Sequence, residues 1–90
     1  MKKAIITIVG ADKVGIIAAV TTYLAEVNVN VLDITQTIMQ DLFTMMTIVD
    51  ITGSKKPFDG LYADLQELGD RLGVKIQIQN SEIFDSMHKI

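Results

Sequence analysis

The side chains in this 90-residue sequence that could do chemistry are few and widely spaced. Histidine occurs once, as His88. A single imidazole without a second group beside it makes neither a catalytic dyad nor a metal site, so a solvated or packing role is expected. Asp33 and Asp50 fall on stretches that read as strands and could meet across a sheet. Paired carboxylates can divide acid and base work between them, but solvation at a sheet edge is the commoner use of such a residue. Ser54, Ser81 and Ser86 lie in polar segments, where hydroxyls serve turns and caps. Met39, Met45 and Met46 would suit a soft metal only by converging. Strand alternation puts Met45 and Met46 on opposite faces, and packing accounts for them better. The absence of cysteine excludes disulfides, thiol catalysis and thiolate metal sites. These residues supply no catalytic group, no metal site and no cofactor motif, and the expectation is that the protein is not an enzyme.

One stretch remains, IVGADKVGII at residues 8–17. Gly10 and Gly15 bracket the short break Ala11, Asp12, Lys13 and Val14 between two apolar runs. Glycine at 10 would let a strand end in an unusual backbone conformation. Glycine at 15, just before Ile16, would let the first turn of the following helix approach a ligand or another backbone closely. Unsatisfied N–H groups at a helix start attract carboxylate or phosphate. The spacing is neither the G-x-G-x-x-G of a dinucleotide loop nor the Gly-Lys-Ser/Thr of a P-loop. From these residues alone the break is either a plain turn, the commoner use of such residues, or a ligand loop.

The elements that must position this loop follow from periodicity. Residues 3–9 are β-branched and apolar and predict a strand buried on both faces. Ile17, Val20, Leu24 and Val27 mark one stripe of a helix, with Asp12 as N-cap and Asn28 as a left-handed stop. Residues 30–39 and 43–51 are extended, and Gln40–Asp41 between them makes a hairpin. TGSKKP is a loop. Pro57 opens a second helix with Phe58, Leu61, Leu65, Leu68 and Leu72 at steps of three and four. Asp59 near its start, Arg71 near its end and Gly73 just beyond agree with dipole and C-cap rules. Val74, Ile76 and Ile78 alternate with Lys75, Gln77 and Gln79 in a half-buried strand. Residues 81–90 form a short terminal helix capped by Ser81.

This β-α-β-β-α-β order with right-handed crossovers predicts an α+β, ferredoxin-like sandwich. It has a four-stranded antiparallel sheet, two helices on one face and the short C-terminal helix. Thr7, Thr35, Thr37 and Thr47 are expected on the open face, and some of the methionines against another subunit or the tail helix.

Composition bounds the rest. Hydrophobic residues make up 49% and charged residues 21%, which supports one packed domain over 1–90, with its core at 3–79. So small a domain hides a limited share of its surface, and a partner subunit is expected. The net charge of −3 comes from eleven acidic and eight basic residues scattered along the chain, which argues against a nucleic-acid face. The apolar run before Asp12 is too short for a signal peptide, and no stretch approaches the ~20 residues of a membrane span. A cytoplasmic protein is expected. Familiar uses of the fold also fail. Paired cysteines for copper are lacking, only Phe43 among the aromatics lies on a strand for RNA stacking, and Arg71 is far from the first loop where a phosphoryl group would be held.

DKVGI after a first strand, then a helix, then NVNVLDITQTIMQDLFTMMTIVDI, resembles the ACT domain, a regulatory module of amino-acid metabolism. The likeness runs from residue 3 to about residue 79 and is greatest to small stand-alone ACT-domain proteins of bacteria and archaea. It implies paired domains, a homodimer above all, with an amino acid or similar effector between the first loop of one copy and the second strand of the next. By that resemblance Asp12 contacts the ligand, Gly15 is the motif glycine, and Asn30, with Asn28 nearby, supplies the strand contact. Val14 stands where proline is usual. Asp12 replaces the asparagine of serine-binding members, and an acid would accept from an ammonium group but repel a carboxylate, which disfavours serine. The alternative is an interaction subunit that pairs with a metabolic enzyme or transcription regulator without binding a metabolite.

Overall fold

The alternating burial of its strands explains how this chain folds. In a computed structural model, which describes residues 2–11 and 15–80, the order is β1 (Lys3–Ala11), α1 (Ile16–Glu26), β2 (Asn30–Met39), β3 (Leu42–Asp50), α2 (Phe58–Leu72) and β4 (Lys75–Asn80). The four strands form one sheet in the order β2-β3-β1-β4, and every pairing is antiparallel. This is the expected ferredoxin-like fold. The terminal helix expected over 81–90, with Ser81, Ser86 and His88, lies outside the described residues.

Strand positions of one parity share a face. Ala4, Ile6 and Ile8 of β1, Phe43, Met45 and Val49 of β3, and Ile76 and Ile78 of β4 are buried on one side. They form a single core with Ile16, Val20 and Leu24 of α1 and Leu61 and Leu65 of α2, so both helices cover the same face. The opposite side of β1 (Ile5, Thr7 and Val9) is only half-buried, unlike the two-sided burial expected, because no second layer of described residues covers it. Met45 is buried and Met46 exposed, as alternation requires.

Thr47 departs from expectation. It pairs with Ile6, faces the helices and is 1% exposed, whereas Thr35 and Thr37 are exposed and Thr7 is half-buried. Its Oγ1 has no hydrogen-bond partner. Both faces of β3 carry apolar side chains, so composition could not say which parity pointed inward.

The helix ends differ by a residue or more from the periodicity. Helix α1 begins at Ile16, and Gly15 occupies the cap position with φ 91° and no side-chain cap bond, in place of the cap expected at Asp12. The fully buried stripe is accordingly Ile16, Val20 and Leu24, with Ile17 only packed against its edge. Pro57 sits one residue before α2, at the cap, with φ −68°. Asn28 (φ 62°) and Gly73 (φ 72°) take the left-handed conformations expected of helix stops. No helix among the described residues is long and apolar enough to cross a membrane.

Candidate functional site

The first loop leaves β1 at Ala11, which is exposed and pairs with Leu42, and the chain re-enters at Gly15. Asp12, Lys13 and Val14 lie outside the described residues. The two glycines have exchanged their expected roles. Gly10 continues the ladder opposite Phe43 without a positive φ. A Cβ there would lie 2.6 Å from Val74 Cγ1, so the absent side chain makes room for the residue that follows the Gly73 stop. At Gly15 a Cβ would meet nothing within 4 Å. Its backbone is left-handed, a conformation that costs other L-residues roughly 1–2 kcal/mol. Ile16 buries its side chain in the core, so only its main chain faces the loop. Helix α1 carries no acidic residue in its first turn and no side-chain cap, which leaves its initial N–H groups free of a competing carboxylate among the described residues.

Asn30 is exposed and opens β2 opposite Asp50, whose other neighbour is Lys3 at the start of β1. Asn28, two residues earlier, donates from Nδ2 to the Gly53 carbonyl at 2.9 Å and so holds the turn into β2. Gly10 pairs with Phe43 at the far end of β3. Phe43 and Asp50 are seven residues apart along β3, which is ~23 Å at about 3.3 Å per residue. Within one chain the first loop and Asn30 are therefore at opposite ends of the sheet.

The carboxylates weighed for acid–base work do not pair. Asp33 stands opposite Ile48, beyond the irregularity between Val31 and Asp33, and accepts from the Ile34 N–H at 2.9 Å. Asp50 accepts from the Thr52 N–H at 2.9 Å, and bonding by the Thr52 side chain first, and then by that N–H, holds its carboxyl below the usual range. Among the described residues no cluster of three or more His, Cys, Asp or Glu could hold a metal.

The strand order also shows a feature that the sequence reading did not use. Strand β2 pairs only with β3 among the described residues, so its outer edge is open. Leu32, Ile34 and Ile38 are exposed along it, and Met39 at its end is 69% exposed. An apolar edge of this kind is a template for pairing with another strand. The signal was present in the alternation of Ile34 and Ile38 with Asp33, Thr35 and Thr37.

The sequence pattern of the ACT domain matches residues 2–79. The chain belongs to the ACT domain family. A UPF0237 protein of Bifidobacterium longum is 56% identical over 90 residues, covering all of both chains. Another, from Clostridium acetobutylicum, is 52% identical and covers 98% of this chain and 99% of its own. Among solved structures, an ACT domain protein from Streptococcus pneumoniae superposes with a TM-score of 0.82 at 44% identity, over 92% of this chain and 93% of that one. These likenesses agree with the ferredoxin-like fold of the ACT domain described above.

Proposed function

We propose that this ACT-domain protein is a non-catalytic regulatory module, cytoplasmic and homodimeric, that binds an amino acid or similar effector between subunits. The observation that carries the reading is the separation of the first loop from Asn30. If both contact one ligand, as the family resemblance implies, two chains must build the site. The open edge of β2 supplies a way to do so. Antiparallel pairing of two β2 strands about a two-fold axis would set the Asn30 end of one copy beside the Met39 end of the other. That is the end from which the partner's first loop leaves the sheet. Such pairing would also cover the exposed Leu32, Ile34 and Ile38.

In this arrangement Asp12 accepts from the ligand's ammonium group, Asn30 bonds through its amide, and the α1 N–H groups after Gly15 receive the carboxylate. The rest of the loop (Gly10, Ala11, Lys13 and Val14) and the start of Ile16 shape its floor, with Asn28 holding the approach to β2. ACT-domain proteins are regulatory and often bind amino acids, which supports the same assignment.

A thermal-shift screen of the amino acids tests it. Stabilisation by at least one at millimolar concentration, abolished in Asp12→Ala and in Asn30→Ala, is the expected result. No shift with any amino acid, together with capture of a metabolic enzyme or transcription regulator on the β2 edge, would favour the interaction-subunit alternative.

A further inference from the structure

A concavity of the described residues lies at the other end of the sheet from the first loop, and all the charged residues that line it are of one sign. It is a cavity of about 610 Å³ between the start of β1, the loop before α2 and the end of β4, and Lys2, Lys3, Lys55 and Lys56 line it with no Asp or Glu. The whole chain has eight basic residues against eleven acidic ones. Half of its cations therefore converge on one hollow of an acidic protein. Lys56 is bonded to Asp64. Lys3 stands opposite the acid Asp50, while no carboxylate among the described residues makes an ion pair with Lys2 or Lys55, which leaves those two charges for something else.

The walls are held in place by backbone bonds. The Lys2 N–H donates to Thr52 Oγ1 at 2.8 Å, and the Ile51 N–H to the Lys2 carbonyl at 2.8 Å. The Lys55 N–H donates to the Val27 carbonyl at 2.8 Å, while Ser54 Oγ bonds the Lys56 carbonyl at 2.7 Å. The lysines thus rise from an ordered loop, and a ligand would not have to order it first. Phe58, the first residue of α2, also lines the cavity. No side chain caps that helix, but Asp59 in its first turn offsets its positive end, so the lysines carry the field.

We infer that this cavity binds a small phosphate-bearing metabolite, at a site separate from the effector loop. Several ammonium groups spread around one hollow suit a ligand with two or more negative charges. A single carboxylate would satisfy only one of them. Lysine serves here as a point charge toward phosphate oxygens, with Lys2 and Lys55 on two walls of the hollow. The inference does not depend on the effector reading, because neither Asn30 nor any described residue of the first loop lines the cavity.

Titration of the full chain with pyrophosphate, followed by amide chemical shifts, tests it. Saturable shifts at residues 51–58 are expected, weakened about tenfold in Lys55→Glu and in Lys2→Glu. Lys75→Glu, on the exposed face of β4, should bind as the unaltered protein does. Absence of saturation at millimolar pyrophosphate would overturn the inference. So would equal weakening by Lys75→Glu, or binding of citrate as tight as that of pyrophosphate. Shifts confined to residues 16–19 would also overturn it, while leaving the effector loop in play.

Discussion

The Tyr23 hydroxyl donates to Asp64 Oδ2 at 2.7 Å, and through this bond α1 is tied to α2 across the outer surface of the helix layer. Asp64 also receives Lys56, so one carboxylate joins both helices and the loop before α2. The Lys56 bond, and after it the Tyr23 bond, hold the Asp64 carboxyl below its usual range. Burial first, and then the Asp64 carboxylate, push the Tyr23 phenol well above its ordinary value. The contribution of Asp64 is present above the ordinary carboxylate range and is lost as pH falls through its depressed pKa. That of Tyr23 is present below its ordinary pKa and is lost as pH rises past about 10. Tyr23→Phe should lower the melting temperature by a few degrees at neutral pH and flatten the alkaline limb of the stability curve. Melting curves across pH check both.

Gly10 and Gly15 should respond differently to alanine. Gly10→Ala pushes a methyl group against Val74 and should cost about 1–3 kcal/mol, the usual cost of overpacking. Much of it should be recovered when Val74→Ala is added, since the two sites share one space. Gly15→Ala should cost roughly 1 kcal/mol through its left-handed backbone, and Val74→Ala should not rescue it. Urea unfolding of the three single variants and the two double variants separates a steric cause from a conformational one.

Thr47→Val should stabilise the protein. The hydroxyl lies in the core without a partner, and a methyl of the same shape removes its desolvation cost, about 1 kcal/mol. A melting temperature raised by several degrees is the expected reading, and a fall would mean that Thr47 Oγ1 is bonded in solution.

These positions also show how far the sequence carries the fold. The strands and their order were legible because Val74, Ile76 and Ile78 alternate strictly and Gln40–Asp41 separates two β-branched runs. The inward parity of β3 was not, since Thr44, Met46 and Ile48 look as suitable for a core as Met45, Thr47 and Val49. Only pairing with Ile6 and Ile8 decides it. The start of α1 was misplaced because an aspartate before an apolar stripe suggests a cap, whereas a left-handed Gly15 defers the helix to Ile16. Of the candidate site, the loop glycines were legible as positions but not as mechanisms. The lysine-lined cavity was not legible at all, because Lys2–Lys3 and Lys55–Lys56 are separated by the whole β1-to-β3 segment and meet only in the folded chain.

The open β2 edge gives a further expectation. Ile34→Lys and Ile38→Lys place charges along the strand proposed to pair with a second copy, and should shift the protein toward monomer in sedimentation with little loss of helix signal. Effector-induced stabilisation should disappear with the dimer. An unchanged sedimentation profile in the double variant would place the subunit contact elsewhere.

The composite nature of the effector site is tested most directly by mixing two defective proteins. Asp12→Ala and Asn30→Ala homodimers should each fail to bind the amino acid found in the screen. After subunit exchange, each mixed dimer holds one site with Asp12 from one chain and Asn30 from the other, and one site lacking both. Calorimetric titration of the equilibrated mixture should then recover unaltered affinity at about a quarter of the original stoichiometry, as random pairing in a two-fold dimer requires. No recovery in a mixture shown to have exchanged subunits would contradict a site shared between two chains.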